Sequence, residues 1–191
     1  MKREIKNLFF FGFIFIIIIF FTCCSKKKKE EVNLKNEKFT GFSLKHFSHN
    51  CLLTLYGESA EITENKNTKI SSPTLSLKTE TEIIEIKTDK EGKGEIKVDP
   101  ENKKLKEIII TGKVIILYKD KKTENVTMEI ICGKATYIEA KKEMVFEENP
   151  LIKRGKNKFS GERIIYNIDK NTIEIKGNVN VEIYPEEGTG K

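Results

Sequence analysis

From residue 39 onward the chain alternates apolar and polar positions in short runs separated by Gly, Asn, Asp and Pro. The clearest runs are residues 52–56, 75–77, 82–87, 95–98, 105–110, 114–118, 126–131, 135–139, 144–147, 162–168, 172–176 and 179–184. Period-two alternation at near-regular spacing, broken by turn residues, predicts about a dozen strands and an all-β fold. No stretch carries the 3.6-residue apolar stripe of an amphipathic helix.

The last two runs give the cleanest pattern. Ile173, Ile175, Val179, Val181 and Ile183 fall on one face, whereas Glu174, Lys176, Asn180 and Glu182 fall on the other. They are expected to form a hairpin with one apolar and one wet face. Asp169-Lys170-Asn171 supplies the preceding turn, and Gly177-Asn178 the permissive backbone for a bend. Pro185 has no N–H to donate, so the ladder stops there or remains an edge.

The pattern also repeats. A strand runs through Gly-Lys-Val at 112–114 and through Gly-Asn-Val at 177–179 into another alternating strand. At an offset of 29 residues, Ala135, Tyr137, Met144, Phe146, Asn149 and Ile152 overlay Ile164, Tyr166, Ile173, Ile175, Asn178 and Val181. The strand beginning Gly94-Glu95 matches the one beginning Gly161-Glu162, and Gly57-Glu58 opens a more degenerate copy. Each unit is two strands and two turns, and stacking about four of them buries a continuous apolar interior.

Composition divides the chain. Its net charge of +6 sits almost wholly in residues 1–30, where seven Lys or Arg face Glu4 and Glu30. The rest is nearly neutral with interleaved signs, which offers no footprint for a polyanion and excludes nucleic acid as a partner. A basic start at residues 1–6 and an uninterrupted apolar run over 8–21 read as a membrane-targeting helix, residues 1–24 forming a leader or anchor. Cys23-Cys24-Ser25 resembles a bacterial lipoprotein cleavage region, with Cys24, or else Cys23, as the lipidation site. A cleaved leader and an uncleaved short span both fit the run. An uncleaved span with its domain outside would leave Lys26 to Lys29 on the non-cytoplasmic flank, against the positive-inside bias. Residues 25–38 read as a charged tether, 39–185 as one domain and 186–191 as a tail.

Candidate chemistry is sparse. Cys51 and Cys132 either pair in an oxidising compartment or serve as small buried hydrophobes, and both lie in apolar runs. His46 and His49 have no supporting ligand cluster and read as surface loop residues. No nucleophile, base and orienting acid share a recognisable spacing, so neither an enzyme, a metal site nor a cofactor is expected.

With the repeats aligned, Leu53-Thr54-Leu55-Tyr56-Gly57-Glu58-Ser59-Ala60, Gly112-Lys113-Val114, Tyr137 with Asn149-Pro150-Leu151-Ile152, and Gly161-Glu162-Arg163-Ile164-Ile165-Tyr166 leading to Gly177-Asn178-Val179 follow a shared order. On these residues the domain resembles the OstA-like proteins of lipopolysaccharide export, the LptC family in particular. The resemblance implies an open, twisted β-jelly-roll whose trough holds lipopolysaccharide acyl chains. It implies a protein anchored at the inner membrane and facing the periplasm. Such a protein receives lipid from the LptB, LptF and LptG transporter and passes it to an LptA-like protein by edge-to-edge pairing. Phe146, Ile173, Ile175, Val179, Val181 and Ile183 are the expected groove residues, and Asn178, Val179, Val181 and Ile183 the expected docking edge. Two other readings are a released LptA-type bridge and a structural or adhesive envelope lipoprotein.

Overall fold

The computed structural model describes residues 37–48, 51–63 and 67–184. The leader, both candidate lipidation cysteines, His49 and the tail lie outside them. Among the described residues no helix is long and apolar enough to cross a membrane.

Among the described residues fourteen strands join in one antiparallel sheet. They are β1 (Glu37–Ser48), β2 (Cys51–Ile62), β3 (Thr68–Ser71), β4 (Thr74–Lys78), β5 (Glu82–Lys87), β6 (Lys93–Val98), β7 (Leu105–Asp120), β8 (Val126–Ile138), β9 (Glu143–Glu147), β10 (Leu151–Arg154), β11 (Asn157–Ser160), β12 (Arg163–Asn167), β13 (Thr172–Lys176) and β14 (Asn180–Glu182).

The pairing resolves into two walls that share a line of corners. Wall 1 runs from the second half of β1 through the first half of β2, β4, β5, the second half of β7, the first half of β8, β10 and β11 to β14. Wall 2 runs from the first half of β1 through the second half of β2, β3, β6, the first half of β7, the second half of β8, β9 and β12 to β13. Each passage of the chain crosses from one wall to the other, and the next passage returns beside it. Adjacent corners are tied by backbone hydrogen bonds from Ser72 to Gly92, Gly133 to Glu148 and Glu162 to Gly177, each 2.9 Å long.

The Gly-Lys-Val and Gly-Asn-Val segments lie on this corner line. At Gly112 the β7–β8 register shifts between Thr111 and Val114, and φ is +118°. A side chain there would be strained, and its Cβ would approach the Cα of Gly92 to 3.1 Å. Residues 105–110 and 114–118 are therefore one bent strand, as are 126–131 and 135–138. At Gly177 and Asn178 φ is +67° and +41°, and the chain leaves one wall for the other. The expected terminal hairpin does not form: β13 pairs with β12, and β14 with β11. A corner carries the strand onward, whereas a hairpin turn would fold it back on itself.

The 29-residue repeat has a geometric meaning. Ala135 and Ile164 stand in one inward row of wall 2, as do Phe146 and Ile175. Tyr137, Tyr166, Met144 and Ile173 share the next row. Asn149 and Asn178 both hold positive φ at corners, and Ile152 and Val181 occupy one row of wall 1. One repeat thus advances the structure by two passages. The Gly94 and Gly161 match does not extend this far, because Gly94 lies within β6 and Gly161 precedes β12 at a corner.

Four strands lie outside the periodic runs. β3, β10 and β11 are only four residues long. In β1, Gly41 at φ +71° breaks the alternation between Phe39 and Phe42, so its apolar residues fall three apart. β1 begins at Glu37, so the last two positions of the expected tether, Glu37 and Lys38, belong to the sheet.

Candidate functional site: an apolar interior between two walls

Residues directly opposite in antiparallel strands project from the same face, so register alone draws the interior. In wall 1 the row nearest the corners is Leu44, Leu55, Leu75, Ile86, Ile116, Ile130, Ile152, Phe159 and Val181. In wall 2 it is Phe39, Ala60, Ile70, Gly94, Ile110, Ala135, Phe146, Ile164 and Ile175. Both ladders are wholly nonpolar across every passage of the chain. Residues of both walls pack into one buried hydrophobic cluster. Each fully buried aliphatic side chain contributes about 1.5–3 kcal/mol.

Burial falls away at the two ends. The central members of both rows are essentially inaccessible, whereas Phe39 at one end is 45% exposed and Val181 at the other 47%. Ile173 ends the second row of wall 2 at 38% exposure. Among the described residues β1 on one side and β13 with β14 on the other are free edges, and there the apolar interior reaches solvent.

The expected groove residues divide accordingly. Phe146 lies fully buried in the middle, and Ile175 packs against the core. Ile173 and Val181 line the open end. Val179 and Ile183 flank the short β14 and are exposed. Asn178, Val179, Val181 and Ile183, the expected docking edge, all lie at or beside the free edge of β14.

Farther from the corners the walls meet through polar groups. Leu53, Leu77, Ile84, Tyr118 and Met128 form the mouthward row of wall 1, with His46 on β1 at its end. Tyr137, Met144 and Tyr166 belong to the mouthward row of wall 2. The Tyr118 and Tyr166 rings meet edge to face across the interior, with centroids 5.2 Å apart. Tyr166 donates to Glu82 at 3.0 Å, and Tyr137 donates to Glu139. Glu139, in a short 3-10 turn, also accepts from Ser48 at 3.1 Å and pairs with Lys142. His46 Nε2 lies 3.2 Å from the same carboxylate.

His46 is thus no surface loop residue. It points inward because β1 continues the sheet. The polar mouth had no signal in the sequence, since its members come from β1, β5, β8, β12 and the 3-10 turn after β8. Tyr137 and Tyr166 stand out as repeat positions and as residues of the family resemblance, with no sign of their polar partners.

Burial pushes the hydroxyl pKa values of Tyr118, Tyr137 and Tyr166 well above their ordinary value, so all three remain donors. Burial also raises the Cys132 thiol to about 12. Cys132 stands opposite Val114 beside a corner, Cys51 lies opposite Ser48 at the mouth, and both are free thiols. Among the described residues no cluster of His, Cys, Asp and Glu is suited to a metal.

A cavity of about 180 Å³ opens at the mouth beside Ser48, Cys51, Glu82, Lys142 and Tyr166. Ligand pockets for small molecules usually span about 300–1,000 Å³. The walls as they stand are closed on each other, so accommodating a chain of methylenes would require them to part.

Residues 52–187, over half of the chain, match the family model described as LptA/(LptD N-terminal domain) LPS transport protein. The chain belongs to this family. The match begins within β2, leaving β1 and everything before it outside. The fold is similar to that of LptH from Pseudomonas aeruginosa, described as the LptA homologous periplasmic component of the lipopolysaccharide transport device. The two share 13% identity and a TM-score of 0.50, over 70% of this chain and 95% of LptH. At that identity the likeness shows the fold, the expected β-jelly-roll. No curated protein matches the chain. The resemblance to LptC in particular goes beyond these findings, which reach the wider LptA/LptD family.

Proposed function

We propose that this LptA/LptD-family domain carries lipopolysaccharide through the periplasm, holding its acyl chains against the two apolar rows while the polar head stays at the mouth. The observation that carries this reading is the pair of unbroken nonpolar ladders open at both free edges. A lipid crossing water needs a continuous apolar path, because each exposed methylene costs about 0.8 kcal/mol. The free edges of β1 and of β13–β14 supply unpaired backbone groups, so a neighbouring domain can add its own strand and extend both walls. Lipid enters as the walls part about the corner line and the polar links across the mouth exchange partners.

The N-terminal segment supports a position at the inner membrane, facing the periplasm, with Cys24 or Cys23 lipidated or the apolar run retained as a span. In that place the protein accepts lipid from an LptB, LptF and LptG transporter and passes it to an LptA-like protein. The family match and the likeness to LptH favour a second reading, a released LptA-type bridge. Mass spectrometry of the mature N-terminus separates the two. Depletion of the protein, followed by measurement of lipopolysaccharide at the cell surface, tests the shared claim. Surface delivery should fall; unchanged delivery in a cell with no second copy of this domain would overturn it.

A further inference from the structure

Three tyrosines stand in the mouthward rows, and two of their hydroxyls reach carboxylates: Tyr137 that of Glu139, and Tyr166 that of Glu82. The third, Tyr118, is just as deeply buried, yet its hydroxyl has no hydrogen-bond partner among the described residues. A buried donor left unpaired weakens the fold, and phenylalanine would fill the same place without that cost. The hydroxyl therefore calls for an acceptor beyond the described side chains.

Its depth in the interior suggests what that reason is. Tyr118 lies one row mouthward of Ile116, which belongs to the all-apolar ladder, and its ring abuts Tyr166, whose hydroxyl touches Glu82 at the mouth. It therefore marks the boundary between the apolar floor and the polar mouth. A lipid lying with its chains on the floor and its head at the mouth places its ester or amide carbonyls at this boundary. Those carbonyls are acceptors that carry no donor of their own. We propose that the Tyr118 hydroxyl donates to the carbonyl of an acyl linkage once the walls have parted, so that the interior distinguishes acyl from alkyl chains of equal length. This rests on the lipid-carrying reading above.

The test uses the full-length chain in lipid nanodiscs with two photoactivatable probes, a glycerol monopalmitate ester and the glycerol hexadecyl ether. The wild-type protein should capture about tenfold more of the ester, the discrimination expected of one hydrogen bond to an otherwise unpaired buried donor. Tyr118→Phe should capture ester and ether equally, at the wild-type level for the ether. The same substitution should raise the thermal midpoint of the empty protein, read by pulse proteolysis, by about 2–4 °C. An ester preference that survives in Tyr118→Phe, its absence from the wild type, or a lowered midpoint would each overturn the proposal. Capture of both probes equally by the wild type removes the role of Tyr118 and leaves the carrier reading standing. Capture of neither removes both.

Discussion

The hydroxyl of Tyr166 on β12 lies 3.0 Å from a carboxylate oxygen of Glu82 on β5, joining wall 2 to wall 1 across 84 residues of chain. Together with the contacts of Ser48 and His46 to Glu139, it closes the side opposite the shared corners. Tyr166→Phe keeps the ring against Tyr118 and removes only the hydroxyl, with its contacts to Glu82 and, at 3.1 Å, to Asn171. It should cost about 1 kcal/mol of stability and speed amide exchange in β5 and β12 relative to β8. Unchanged exchange at both strands would show that the link does not hold the mouth closed.

Position along the ladders should govern the cost of truncation. Ile116→Ala and Ile130→Ala remove fully buried side chains and should each cost about 2–5 kcal/mol in chemical denaturation. Val181→Ala, in the same row but half exposed, should cost less than about 1 kcal/mol. Equal losses at all three positions would contradict the open end.

At Gly112 the backbone demands what only glycine gives freely. Gly112→Val places a β-branched residue at φ +118° with its Cβ against the Gly92 backbone, and should destabilise the fold by at least about 1–3 kcal/mol. Lys113→Val, at the adjacent exposed position, should leave the free energy of unfolding within about 0.5 kcal/mol of wild type.

The pH dependence should report the clasp around Glu139. Burial raises the pKa of its carboxyl, but the Lys142 ammonium, the Tyr137 hydroxyl and His46 together lower it further, to about 2 from 4.5. The folded state therefore favours the ionised form. That stabilisation is fully present above pH 4.5 and is lost as the pH falls toward 2. Thermal midpoints should drop more steeply across this window in the wild type than in Glu139→Gln; parallel curves would assign the acid sensitivity to other groups.

Much of this fold was legible in the chain because period-two alternation and wall-to-wall repetition are the same fact seen at two scales. The overlay of Tyr137 on Tyr166 and of Asn149 on Asn178 already held the inward rows and the corners. Pairing was less legible. Ile175 and Val181 share a face by alternation, yet they belong to different walls, since local sequence does not distinguish a corner at Gly177 from a hairpin turn. The mouth was not legible at all. Ser48, Glu82, Glu139 and Tyr166 are polar residues scattered over some hundred positions, and only closure of the sheet brings them together.

Site-specific photo-crosslinking in growing cells shows whether the inward rows carry lipopolysaccharide. A photoreactive residue at Phe146, Ile175 or Val181 should yield lipopolysaccharide adducts, while one at Glu174, on the outward face between Ile173 and Ile175, should yield none. Adducts from Glu174 alone, or none from any inward position, would contradict the account.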